Sequence, residues 1–485
     1  MHELILFALG LPLLLAALSL LPVRLPLASL HIGGGLAVSA ALLRLIWQVA
    51  TAGRIHSGWF LIDELTIVPL LAVALLGFST LLFSKSYMGR ELAGGHISGR
   101  ALARYYALLQ VFIFTMIGAL VVENLGMLWV MIEATTLASA LLVAFNFNRS
   151  SLEATWKYVM VCTVGICLAL LGTILLYYAQ VSAGEGKGAL SWLALTSAAA
   201  RLDPDMTKLA FVFILIGYGT KAGLAPMHTW LPDAHSQAPS PVSGLLSGAL
   251  LPCAFYAIMR NMAVVQYSLG PGFAETLLLS FGLLSIALSA PFILLQHDLK
   301  RLLAYSSVEN MGLIAVGIGI STPLAISGAL LHMLYHALTK SALFYLAGLI
   351  YQDYHTKHLL RIRGLLRSSP LLGGLFFAGL LAITGMPPFA IFTSKFLIIQ
   401  AVVNDGRTLL GGLYLLLLGV VFAGLIYYGM GVCFGPSPKR SHNRPPLLAT
   451  LAIGVSLAMV FAAGFYLPPW LGSVLTLAAA LVTGG

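Results

Sequence analysis

The stretch Lys221-Ala222-Gly223-Leu224-Ala225-Pro226-Met227-His228-Thr229-Trp230-Leu231-Pro232-Asp233-Ala234-His235 lies between two apolar runs, near 207–227 and 242–265, in a chain of 485 residues that is 59% hydrophobic and 9% charged. With a mean hydropathy of +0.96, a water-soluble globule of this composition would have a largely apolar surface, so the solvent for most of the chain is lipid. The stretch then reads as a membrane helix broken at Leu224-Ala225-Pro226 beside a lysine, with Met227 to Ser240 as the polar segment that follows. A second run, 371–402, would be roughly 48 Å long as a single helix, well beyond a bilayer core. It carries Gly385-Met386-Pro387-Pro388 midway and Lys395 after it.

Working outward at roughly 20 apolar residues per crossing, the sequence predicts an all-α polytopic membrane protein of about fourteen spans. They lie near 3–21, 28–51, 59–83, 102–122, 124–146, 156–180, 207–227, 242–265, 274–295, 301–320, 323–350, 371–402, 409–434 and 446–466. Residues 467–485 are left as a frayed end or part of a last helix. Leu4 to Leu21 lacks a basic leader and a small-residue cleavage site, so it reads as the first span and not as a signal peptide. Spans 7 and 12 are an odd number apart and so run in opposite directions, as an inverted repeat requires. With charges near a span end counted in the adjoining connection, sixteen Lys and Arg fall in the odd-numbered connections and six in the even ones; Arg44, Lys221, Lys340 and Lys395 lie deeper inside spans. This asymmetry predicts that the odd connections are cytoplasmic and both termini outside. It also explains the net charge of +10 without nucleic acid. The cysteines, Cys162, Cys167, Cys253 and Cys433, lack metal or redox spacing and read as buried thiols.

An ionisable side chain in hydrocarbon costs at least ~2.5–3.5 kcal/mol and persists with a partner or a water path. Glu133 stands near the centre of span 5, either bonded to a neighbouring helix for packing or accepting protons. Lys221 is the natural cation for it: a buried ammonium is held best while its carboxylate is near, so a pair of this type can switch. His332, His336 and Lys340, spaced by four, share one stripe of span 11. A lone membrane histidine is more often a packing residue, but three titratable groups in register point to a proton file. Two histidines on one helix face cannot ligate one haem iron from opposite sides, and no cluster supplies a metal's further ligands. Glu309 is read as either functional or solvated, and Asp298 with Lys300 as a connection charge cluster.

At these residues the sequence resembles a known family. The run from Lys221 to His235, with Ala238-Pro239-Ser240-Pro241-Val242-Ser243, resembles the proton-conducting membrane subunits of respiratory complex I, Mrp-type antiporters and membrane-bound [NiFe] hydrogenases. Asp298-Leu299-Lys300-Arg301-Leu302-Leu303-Ala304-Tyr305-Ser306-Ser307, the stretch His332 to Lys340, and Gly385-Met386-Pro387-Pro388-Phe389 are similar too. Glu133-Ala134-Thr135-Thr136 and Ser306-Ser307-Val308-Glu309-Asn310-Met311-Gly312 look most like component F of hydrogenase-4 and formate-hydrogenlyase-type complexes.

The resemblance implies a fourteen-helix core with inverted repeats over spans 4–8 and 9–13. That divides the chain into 1–100, 101–265, 266–434 and 435–485. It implies a proton pathway through Glu133, Lys221, His228, His332, His336, Lys340 and Lys395, with Glu133 paired to Lys221. Asp233, His235, Asp298, Lys300 and Glu309 are accessory. No cofactor is expected in this chain; nickel–iron and iron–sulfur centres belong to hydrogenase-like partner subunits in a bacterial or archaeal inner membrane. Pro252 stands where relatives often place a span-8 lysine, and Lys395 where many hydrogenase relatives carry glutamate. The long lateral helix of the largest complex I homologue is not expected here. Two other classes stay open at this point. A stand-alone transporter of sodium or of a solute would bind its cargo at the broken helices, and an inert anchor would have no use for charges inside spans.

Overall fold

In a computed structural model, residues 1–21, 26–184, 188, 190–436 and 445–484 are described. The connection charges Arg24, Lys187, Lys439, Arg440 and Arg444 counted above lie outside them. Polar residues at helix starts mark the two faces, since each orphan N–H at a helix N-terminus needs an acceptor. Asp63 accepts from Thr66 N at the start of span 3, Asn148 from Ser151 N at span 6, and Asp298 from Arg301 N at span 10.

Among the described residues the helices make fourteen crossings. Spans 1 to 6 are His2–Leu20, Leu27–Ala52, Glu64–Ala93, Gly99–Val121, Leu125–Val143 and Arg149–Ser182. Span 7 is Pro204–Gln237 and span 8 Ser240–Leu269; spans 9, 10 and 11 are Phe273–Leu294, Leu299–Ile320 and Pro323–Tyr354, and span 13 is Thr408–Phe434. Span 12 is a pair of shorter helices, Pro370–Thr384 and Ala390–Asn404. Span 14 is likewise a pair, Leu447–Ala462 and Pro469–Thr483. The tail left open above is therefore the second half of a broken last span. Its break lies against that of span 12, with no room for a side chain between Gly464 and Pro388.

The polar segment after the first break is not a connection. Met227–Thr229, where only His228 is buried, leads directly into the mostly buried helix Trp230–Gln237, so the chain after the break continues span 7 and is not a loop. Both breaks have the same local form. Gly223, with φ +77°, is followed three residues later by cis-Pro226; Gly385, with φ +84°, by cis-Pro388. Only glycine adopts that backbone without steric cost. Spans 7 and 12 run in opposite directions, so the shared form is the inverted repeat seen locally.

The even-numbered connections share one face with both termini. His2 bonds to Ser57 in a short hairpin, Ile55–Ser57 with Phe60–Ile62, between spans 2 and 3. At the other terminus, Gly484 packs on Gln266 and Tyr267 at the end of span 8. On the odd face, Leu299 N donates to Lys357 O at 2.8 Å and Leu359 N to His297 O at 2.9 Å, stitching the connection after span 9 to the one after span 11. Spans 8 and 11 are wholly buried and span 10 nearly so, while spans 1 and 13 are mostly exposed. Lys300, Glu309, His332, His336 and Lys340 sit on these most enclosed elements, whereas Glu133 is on the half-buried span 5. Cys162, Cys253 and Cys433 are buried, but Cys167 is exposed on span 6, against expectation.

Candidate functional site: a buried polar axis

Spans 6 and 7 cross closely because glycines face each other. A Cβ on Gly217 would lie 2.6 Å from Gly165 O, and one on Gly172 2.6 Å from Ala210 O. Small residues are what allow membrane helices to approach this far. The crossing brings Lys221, fully buried, onto span 6. Its Nζ donates to Tyr158 OH at 2.8 Å and to Thr136 Oγ1 of span 5 at 2.7 Å, and lies 5.0 Å from the Tyr158 ring centroid. Glu133, half-buried, accepts from Thr136 Oγ1 at 3.2 Å and Thr163 Oγ1 at 3.4 Å. The expected direct pair is thus replaced by a relay, Glu133–Thr136–Lys221, in which one hydroxyl contacts both charges. Breaking and remaking it needs only a rotation of Thr136 and a small shift of the lysine. Thr136 and Tyr158 have no role in the sequence reading, because hydroxyls are common in membrane helices and their spacing carries no signal.

In the second half, Lys340 donates to Leu303 O at 2.6 Å and to Ser306 Oγ of span 10. His332 is held between Ser394 Oγ and Asn310 Oδ1, each at 2.9 Å. Lys395 Nζ lies 3.3 Å from Glu309 Oε1, and Asn310 also donates to Glu309. Glu309 is fully buried, so its solvated reading is wrong: other helices enclose it, and its partner is the lysine beyond the second break. His336, between His332 and Lys340, is fully buried with neither ring nitrogen bonded among the described residues.

Between the halves stands His235, fully buried and stacked on Phe344 at 4.9 Å, again with both nitrogens unbonded among the described residues. Buried imidazole nitrogens without partners are sites that bound water normally fills. Lys300 is also buried, donating to Ala238 O at 2.7 Å and Ser243 Oγ at 3.4 Å. The connection-cluster reading therefore fails for Lys300, whereas Asp298 is the cap of span 10. His228 lies apart, against the rings of Phe292 and Tyr305 at 6.4 and 6.3 Å. Asp233 faces an odd-face cavity of about 730 Å³ and pairs with Lys157 at 3.3 Å and with Arg301. Lys357, in the loop at that mouth, donates to Ser236 O, and burial pulls its ammonium's pKa down while Asp298 opposes the shift.

Aligning the two breaks at Gly223 and Gly385 matches Pro226 with Pro388, and hence Asp233 with Lys395, each seven residues beyond. The repeats thus place an acid near the odd face in one half and a base toward the even face in the other. Pro252 follows a π-helical turn, Leu246–Leu250, and Ser247 there bonds to Ser307 at 2.8 Å.

Residues 122–423 match the family described as NADH:quinone oxidoreductase/Mrp antiporter, TM. The chain belongs to this family. It is 43% identical over 413 residues, 85% of its length, to a hydrogenase-4 component F homologue of Methylacidiphilum infernorum (isolate V4), of which it covers 86%. Among solved structures, this antiporter-family chain resembles a subunit of the archaeal membrane-bound sulfane sulfur reductase, with TM-score 0.88, 23% identity and coverage of 99% and 97%. It also resembles a chain of the Mrp complex from Dietzia sp. DQ12-45-1b, with TM-score 0.83, 20% identity and coverage of 100% and 98%. At those identities the likeness concerns the fold. The antiporter-family subunit also carries buried polar groups that sequence reasoning missed. Asp63, inside the expected span 59–83, and Arg260, inside 242–265, have no role in the sequence reading, yet they form a buried ion pair. His31, held by Ser19 and Gln110 and stacked on Tyr106, is a satisfied packing histidine away from the axis.

Proposed function

We propose that this chain is the proton-translocating, or sodium-translocating, membrane subunit of a redox-driven complex of the hydrogenase-4/formate-hydrogenlyase type. The observation that carries the proposal is the axis itself: Lys221, His235, Lys300, Lys340, His336 and His332 are all buried, on spans 7, 10 and 11, together with Glu309, which pairs with Lys395. Charges so placed are expensive and serve ion pathways far more often than packing. The high identity to a hydrogenase-4 component F homologue supports the hydrogenase branch.

In this reading the carboxylate of Glu133, through Thr136, sets how firmly Lys221 holds its proton. A charge displacement there acts through Lys300 and His235 on Lys340, because interactions between buried charges are weakly screened. Water at the unbonded histidine nitrogens replaces the lysine that Pro252 excludes. Lys395 with Glu309 completes the path. The electron-transfer centres, nickel–iron and iron–sulfur, belong to peripheral partner subunits, and further membrane subunits flank this one in a bacterial or archaeal inner membrane with both termini outside.

The test is purification under mild detergent from native membranes, with mass spectrometry of everything bound and metal analysis of the same sample. Hydrogenase-like partners with nickel and iron are expected. Quinone-reductase partners would move the chain to the complex I branch, and a metal-free set of small hydrophobic partners to an Mrp-type antiporter.

A further inference from the structure

A buried ion pair lies outside the axis, near the even face. Arg260 of span 8 donates through Nη1 and Nη2 to the two oxygens of Asp63, both at 2.6 Å. Its Nε donates to Tyr256 OH at 2.9 Å, and Nη2 also to Thr66 Oγ1 at 3.1 Å. Trp192 covers the guanidinium at 4.4 Å and donates its indole N–H to Arg260 O at 2.9 Å. Both partners are almost inaccessible, with side chains 3% exposed.

What surrounds the pair is asymmetric. On its outer side is an even-face cavity of about 300 Å³, lined by Arg54, Asp63, Glu64, Trp192, Tyr267 and Leu477. On its inner side, span 8 carries Tyr256 one turn away and the buried Cys253 two turns away, and it packs along the helix Pro204–Ala222 that ends beside Lys221. Seven residues of helix are roughly 10 Å. The pair, with Tyr256 and Thr66 bonded to it, therefore lies between the even-face cavity and the part of span 8 that packs on the helix of Lys221.

A fixed guanidinium in a narrow path is an electrostatic barrier to protons and other cations. Asp63 neutralises its cost in the fold, and Trp192 keeps water off it. We propose that the Asp63–Arg260 pair is the even-face gate of the first half, holding Lys221 shut off from the outer cavity so that it exchanges with one side at a time. This rests on the reading that Lys221 carries the ion. A helix pin with no gating role would cost stability when broken but would leave the membrane tight.

The experiment uses the native complex, purified on a tag on this chain and reconstituted in vesicles without redox substrate. Arg260→Gln removes the barrier. Asp63→Asn/Arg260→Gln removes it without leaving an orphaned charge, and asparagine still caps span 3. Both are expected to collapse an imposed pH gradient several-fold faster than the native complex. Both should also let a membrane-impermeant thiol reagent, applied from the even face, modify Cys253. Vesicles as tight as the native ones with Cys253 unmodified, in either assembled variant, overturn the proposal. Should the single variant fail to assemble, the double variant decides alone. Neither readout depends on turnover, so they stay separate from pumping by Lys221 variants.

Discussion

Thr136 touches both Glu133 and Lys221, and that makes it the residue on which coupling in the first half turns. Thr136→Val keeps both charges and the side-chain volume but cuts the relay. A hydrogen bond to a charged group is worth about 1.5–3 kcal/mol, so redox-driven pumping is expected to fall by at least tenfold with assembly unchanged, measured as ion uptake into vesicles. In the second half, Lys395→Met leaves Glu309 buried and uncompensated, a loss of about 3–5 kcal/mol. Glu309→Gln/Lys395→Met should recover most of it, and a double-mutant cycle on thermal stability of the purified complex measures the coupling. Lysines and histidines inside apolar runs are visible in a sequence because they break its composition, and so Lys221, Lys340, His332 and His336 were legible. Whether Glu309 meets Lys395 or water was not, since spans 10 and 12 are distant in the chain and nothing in either helix fixes which faces meet.

At the scale of elements, two features position those residues. The first is the close crossing of spans 6 and 7. Gly217→Leu adds no charge and removes none, yet it must push span 7 off span 6 and carry Lys221 away from Tyr158. The expected result is an assembled complex with pumping strongly reduced; normal pumping would show that the crossing does not set the lysine. The second is the pair of breaks. Gly223→Ala forces a left-handed backbone on an L-residue, costing about 1–2 kcal/mol, and sets its Cβ 2.5 Å from Leu231. Gly385→Ala pays the same backbone cost against only the flexible Lys395 chain at 3.1 Å. The first variant is therefore expected to lower thermal stability more than the second. The breaks were legible from glycine and proline in over-long or polar runs. The continuation of span 7 through Met227 to Gln237 was not, because a polar helix buried by other protein looks, in sequence, like a loop in water. The broken span 14 was hidden by the same ambiguity in reverse: two apolar helices too short to cross singly.

Across the whole molecule, fourteen crossings return both ends to one face. Single cysteines placed at Ser57 and at Thr483, the end of the last helix, are expected to react with an impermeant thiol reagent from the same side of sealed vesicles, and one at Thr356 from the other. Reaction of Thr483→Cys together with Thr356→Cys would mean that the last span does not cross. The exposed apolar flanks of spans 1 and 13 face lipid or neighbouring subunits, while Lys300, Glu309, His332, His336 and Lys340 of the proposed path lie on spans 10 and 11, among the most enclosed helices.

The most direct test is redox-driven ion uptake by vesicles containing the purified native complex with Lys221→Ala in this chain. Assembly and electron transfer near normal, with pumping abolished, is the predicted result. Full pumping in an assembled Lys221→Ala complex would contradict the role given to the axis.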